Sequence, residues 1–184
     1  MDRIELCHGI AKGIEHLHSL DIVHSEINAQ HLLVDIANDS KVMRVAVTDY
    51  ALQSMMSQTE RDAHRSNAGV VQFLAPECFA DSHGETSPPT TKESDIYALG
   101  ITMWEVITGQ EPYGDMAPVD TAVHVKVKGR RPQSFAHIPE QIQNLMRKCW
   151  HKEREQRPTA DVVVAELTKY IESERAEAQK AVSE

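Results

Sequence analysis

Eight consecutive residues, His24-Ser25-Glu26-Ile27-Asn28-Ala29-Gln30-His31, gather two imidazoles, a carboxylate and two amides into one short stretch. A second carboxylate, Asp49, follows in Thr48-Asp49-Tyr50-Ala51. Side chains of these types hold metals or move protons when a fold brings them together. Taken alone, Asp49 reads equally well as a solvated loop residue. The ten histidines do not make a metal site by spacing. His16 and His18 lie two apart on a helical pattern and so point to different faces, the rest are scattered, and no H-E-x-x-H occurs. The three cysteines, Cys7, Cys78 and Cys149, are isolated, which suits buried thiols better than disulfides or zinc ligation.

The segments that must position these residues can be read from periodicity. Ile4, Cys7, Ile10, Ala11, Ile14 and Leu17 recur at three- and four-residue spacing and predict a helix over residues 2–20. Gly9 and Gly13 in that helix form a G-x-x-x-G, read here as close packing. A hairpin is expected next, from Leu32-Leu33-Val34 through a turn at Ala37-Asn38-Asp39-Ser40 to Val42–Val47. Residues 53–67 are polar and aperiodic and are expected to form an exposed loop. Another polar stretch, 81–91, holds Ser87-Pro88-Pro89-Thr90. It reads as an exposed loop, with Ser87-Pro88 the weaker reading as a phosphorylation site.

Residues 95–106 are apolar nearly all round, which belongs to a helix in the middle of a domain, and Gly109 is placed to stop it. A surface helix is expected over 119–128, and another begins with Pro139 as its first residue and carries Ile142, Leu145, Met146 and Cys149. A last helix, N-capped by Thr159, buries Val163, Leu167, Tyr170 and Ile171. Residues 172–184 form a charged tail with little to bury.

The order of these segments, with Ala75-Pro76-Glu77, Ser94-Asp95-Ile96-Tyr97-Ala98-Leu99-Gly100, Trp104-Glu105, Glu111-Pro112-Tyr113, Gly129-Arg130-Arg131-Pro132, Cys149-Trp150 and Arg157-Pro158-Thr159, resembles the C-terminal lobe of a protein kinase. The Cys-Trp and Arg-Pro-Thr landmarks are similar to the tyrosine-kinase and tyrosine-kinase-like branches. The resemblance implies a mainly α fold with a short β-hairpin, as one kinase-like C-lobe over residues 1–171 with the small N-terminal lobe absent. It implies that Glu77 pairs with Arg157 and that Asp95 accepts backbone N–H groups of the loop near His24. The residue-level alternatives are a solvated Glu77 and an N-capping Asp95.

The same resemblance marks where the chemistry has changed. The family's H-R-D-L-x-x-x-N supplies a catalytic Asp and a metal-binding Asn, and D-F-G a metal-binding Asp. Here the catalytic position is Glu26, one methylene longer, and its Arg neighbour is Ser25, which cannot grip phosphate as a guanidinium does. The metal-binding Asn is His31, a poor partner for magnesium, and Asp49 alone remains of the metal set. Asn28 and Val70 stand where serine/threonine kinases carry a phosphate-contacting Lys and a Thr. None of the eight glycines has another two residues away, so no G-x-G phosphate loop occurs, and nothing resembles V-A-I-K. Leu33 could floor an adenine pocket that has no roof.

These departures lead to the expectation of a catalytically inactive kinase-like domain that acts in signalling by protein–protein interaction. The alternatives are a kinase fragment whose small lobe lies outside this chain, and a degenerate remnant. No cofactor is expected; ATP and magnesium enter only with the enzyme alternative. A protein partner or the small lobe is expected to cover the hairpin side, with self-association the other outcome. A net charge of −9 argues against nucleic-acid and anionic membrane surfaces, no stretch approaches a transmembrane span, and the cytoplasm is the expected location.

Overall fold

A computed structural model describes residues 3–36, 42–50, 55–65, 68–79, 88–114, 116–133 and 135–183. The chain runs α1 (Arg3–Ser19), β1 (Leu32–Ile36), β2 (Val42–Val47), α2 (Gln58–Arg65), α3 (Ala68–Val71), α4 (Lys92–Thr108), α5 (Pro118–Ala122), α6 (Glu140–Cys149) and α7 (Ala160–Ser183). Short 3-10 turns at Ala29–His31, Pro76–Cys78 and Arg154–Gln156 punctuate it. The fold is mainly helical with one antiparallel hairpin, in which Leu32 pairs with Val47 and Val34 with Val45.

The stripe of α1 is buried from Leu6 to Leu17 and packs against α4, α7 and β2. The two glycines of α1 explain how β2 comes so close. A Cβ built on Gly9 would stand 2.6 Å from Cγ2 of Val45, and one on Gly13 would stand 2.6 Å from Cγ2 of Val47. The G-x-x-x-G is therefore a seat for a strand, since only a residue without a side chain leaves room for those valines.

At the centre lies α4, buried continuously from Ser94 to Trp104. Such a helix needs a well-made start, and Thr91 provides it. Its hydroxyl accepts the Ser94 N–H while the Ser94 hydroxyl accepts the Thr91 N–H at 2.9 Å, a reciprocal capping box. Asp95 thus sits inside the first turn instead of capping it. The helix ends at Gly109, left-handed with φ 68°, whose N–H bonds the Glu105 carbonyl at 2.7 Å. Gly100 faces α6 so closely that a Cβ there would meet Cβ of Cys149 at 2.8 Å.

The polar stretch 53–67 differs from the sequence reading: it contains α2, an eight-residue helix, where a loop was expected. Ser57 and Glu60 start it reciprocally. The Ser57 N–H donates to the Glu60 carboxylate at 2.7 Å and the Glu60 N–H to the Ser57 hydroxyl at 3.3 Å. The S-x-x-E signal was present, but no apolar run followed it to show a helical period. The 119–128 segment is α5 continued by a π-wound turn, Val123–Val127, closed by the Lys128 N–H on the Val123 carbonyl. Pro139 caps α6 from just outside it instead of being its first residue. The charged tail continues α7 without a break and is exposed from Glu172 to Ala181. The turn at Ala37–Ser40, Ala51 and Ser87 lie outside the described residues.

Candidate functional site

The stretch His24–His31 is held from below by one carboxylate. Asp95, buried in the first turn of α4, accepts the His24 N–H at 2.7 Å and the Ser25 N–H at 2.9 Å. His18, on the last turn of α1, donates from Nε2 to the same carboxylate at 2.9 Å. Three donors on one buried carboxylate tie α1, the loop and α4 together. They secure a loop in which Ser25 is left-handed, with φ 76°. His24 is wholly buried above this anchor. Burial dominates its ionisation and lowers its pKa, although the Asp95 charge pulls the other way.

Each altered position has found a local partner. The Ser25 hydroxyl bonds that of Thr90 at 2.7 Å. Asn28 caps the 3-10 turn that follows it, its side-chain oxygen accepting the N–H groups of Gln30 at 2.9 Å and His31 at 3.3 Å. His31 donates from Nδ1 to the Glu26 carbonyl at 2.8 Å and stacks on His24, with ring centroids 6.2 Å apart. Glu26 itself is covered: His64 of α2 donates from Nε2 to its carboxylate at 2.8 Å, leaving the Glu26 side chain 9% exposed. Val70 is half-buried and lines, with Ser25, Glu26 and Asn28, a small cavity of about 20 Å³.

Asp49 stands apart, exposed and left-handed with φ 61°, its carboxylate accepting the Thr48 hydroxyl at 2.9 Å. Leu33 is exposed on β1. Arg157 meets Glu77 in a two-pronged pair, Nη1 to Oε1 at 2.6 Å and Nη2 to Oε2 at 2.8 Å. Arg157 also donates to the Glu93 and His151 carbonyls, each at 2.9 Å. Its guanidinium and that of Arg131 each lie about 5 Å from the ring centroid of buried Tyr97.

Residues 1–167 match the family described as protein tyrosine and serine/threonine kinase. The chain belongs to the protein kinase family. It is 32% identical over 169 residues to serine/threonine/tyrosine-protein kinase HT1 of Arabidopsis thaliana, covering 92% of this chain and 40% of that relative. It is 29% identical over 173 residues to serine/threonine-protein kinase CTR1 of the same plant, covering 93% of this chain and 20% of that protein. It is also 29% identical over 161 residues to the mouse proto-oncogene tyrosine-protein kinase ROS, covering 86% of this chain and 7% of that protein. The chain thus spans 40% or less of the length of these relatives.

Kinase chemistry places ATP phosphates on magnesium held by an Asp and an Asn. The residues at those positions here do not fit that group. His31 offers a ring nitrogen where a hard cation wants oxygen, and its Nδ1 is already committed to the Glu26 carbonyl. Among the described residues, no group of three or more His, Cys, Asp or Glu side chains is placed to hold a metal ion.

Three contributors escaped the sequence reading. His18 falls four residues after buried Ile14, on the inward face of α1, and that spacing was its signal. His64 lay in a segment read as loop, announced only by the Ser57–Glu60 cap. Thr90 carried no signal in the chain.

Proposed function

We propose that this chain is a kinase-like domain that no longer transfers phosphate and that works in signalling by binding other proteins. The observation that carries this reading is the bond from His64 to Glu26. The carboxylate at the family's catalytic position is engaged by a helix of its own chain instead of facing a substrate hydroxyl. The other departures support it in the same direction: Asn28 and His31 are spent on holding their own loop together. The hairpin side offers the partner face, with Leu33 64% and Tyr50 51% exposed. A second copy, a partner protein or a small lobe would cover it. The acidic charge turns the domain away from nucleic acid and anionic membranes, and no helix among the described residues is long and apolar enough to cross a membrane. We place it in the cytoplasm, with neither ATP nor magnesium required.

The test is phosphotransfer by the 184-residue chain from labelled ATP with magnesium or manganese to generic protein substrates. Background incorporation is expected. Signal that disappears in Glu26→Ala overturns the reading in favour of a working kinase, the alternative that exposed Asp49 favours.

A further inference from the structure

Where the end of α1, the start of α4 and the start of α7 meet, the chain leaves a cleft of about 550 Å³ that the reading above does not use. Clefts that hold small ligands run from roughly 300 to 1,000 Å³. Ile96 and Ala160, both buried, line it together with Pro158, so part of its wall is apolar. None of Glu26, Asn28, His31 and Asp49 is on its lining.

His18 also lines the cleft, with its side chain 10% exposed. Its Nε2 donates to Asp95, which in the neutral ring leaves Nδ1 as a hydrogen-bond acceptor. Nδ1 has no partner among the described residues, and an acceptor on a ring buried to this degree calls for a donor. The charges call for the same thing. Each lysine and arginine on the lining is already paired: Lys92 with Asp21 at 2.7 Å, Arg154 with Glu155 at 2.8 Å and Arg157 with Glu77 at 2.6 Å. Glu15, Glu93 and Asp161, on the same lining, form no ion pair among the described residues. Hydrogen bonds from Thr91 and Thr159 chiefly hold the carboxyls of Glu93 and Asp161 below their ordinary values, so both are charged at neutral pH. An anion has less to gain here, because the start of α7 already carries Asp161 in its first turn.

We propose that this cleft binds a cationic amine that carries an apolar body. The ammonium group donates to Nδ1 of His18 and sits among the carboxylates of Glu15, Glu93 and Asp161, while the apolar body lies against Ile96, Pro158 and Ala160. A free amine and a lysine side chain presented by a partner offer this same chemistry. The site goes beyond the reading of the domain given above and stands whether or not the chain transfers phosphate.

Fluorescence titration of the full chain with dansylcadaverine, a primary amine on an apolar ring system, tests this. Two controls keep the dansyl body and remove or reverse the charge: the N-acetylated amine and dansyl-6-aminohexanoic acid. Saturable binding of the amine is expected, at least about tenfold tighter than either control. The ring-nitrogen resonance of His18 Nδ1 should shift as the amine saturates. Glu15→Gln with Asp161→Asn should lower affinity by about tenfold or more with little change in melting temperature, since neither side chain joins an ion pair. Ser19→Trp, which sets a bulky ring on the lining at an exposed position, should do the same. Glu172→Gln with Glu174→Gln removes as many charges from the exposed end of α7 and should bind as the parent does.

Competition separates the two sources. Displacement of the probe by hexylamine but not by acetyl-Leu-Lys-Leu-amide assigns a free amine, and stronger displacement by the peptide assigns a lysine side chain. Equal binding of the amine and its acetylated form overturns the site. So does a loss in the α7 tail variant as large as that in the Glu15 and Asp161 variant, which would reduce the binding to general attraction by an acidic protein. Undiminished binding in both cleft variants overturns it as well.

Discussion

Two sets of charged residues in this fold treat their charges in opposite ways. Around Asp95 and around Arg157, each charge meets fixed partners from distant parts of the chain: His18, His24 and Ser25 for the first, Glu77 and Glu93 for the second. Around Glu26 and His31 the contacts are mostly within the loop itself, plus one from a polar helix that buries only Arg65. The first region ties separate elements into one body. The second has residues where the family keeps its chemistry, but they satisfy one another. The ties at Asp95 and Arg157 therefore use none of the side chains of Glu26, Asn28 or His31.

The largest effect should come from breaking the frame. Arg157→Ala leaves Glu77, 26% exposed, without its partner and is expected to cost about 3 kcal/mol in urea unfolding, the low end of the range for one partner removed from a buried pair. A double-mutant cycle with Glu77→Gln should show clear coupling. Additive losses below about 0.5 kcal/mol would erase the distinction between the two regions.

Acid should act next, through His24. Its folded pKa lies below the ordinary imidazole value of 6.5, so below that value the unfolded chain binds more protons than the folded one. Stability should then fall as pH drops from about 7 toward 5, by at most about 1.4 kcal/mol per pH unit for this one group. Glu105 works the other way: burial, reinforced by Glu111, pushes its carboxyl up, and protonation there favours the folded form. His24→Gln isolates the histidine. Thermal melts of that variant should show a flatter pH dependence between these values, and an unchanged slope would mean that His24 binds protons equally in the folded and unfolded chains.

Thr91→Ala removes one half of the α4 capping box and should cost about 1 kcal/mol. The smallest effect belongs to the chemical side. His64→Ala should alter global stability by less than about 0.5 kcal/mol, as changes away from packed features do. It should nevertheless speed amide exchange across α2, because the helix loses its hold on Glu26. A global loss comparable to that of Arg157→Ala would show that α2 belongs to the frame.

Where apolar residues carry the period, the chain is readable. The stripe of α1, the uniformly buried α4 and the stripe of α6 were all visible in the pattern, and the order of short motifs pointed to the kinase family. Polar structure was harder to see. A helix such as α2, stabilised by Ser57, Glu60 and a contact to Glu26, leaves no hydrophobic period to detect. The pairing of His64 with Glu26 spans 38 residues, and only the folded chain shows it. The start of α4 was left open for a related reason: a Thr four residues before an Asp gives two plausible starts, and only the direction of the hydrogen bonds decides between them.

The seat made by Gly9 and Gly13 works as a gauge for the hairpin. The two glycines fix how high β2 rides over α1, and the strand leads within one residue to Thr48, whose N–H is tied to the His31 carbonyl at 2.9 Å, and then to Asp49. A methyl group added at Gly13 would therefore do more than crowd Val47. It would raise the far end of the strand like a shim under a beam, and the offset would be delivered to Asp49, which no side chain from another element braces among the bonds described above.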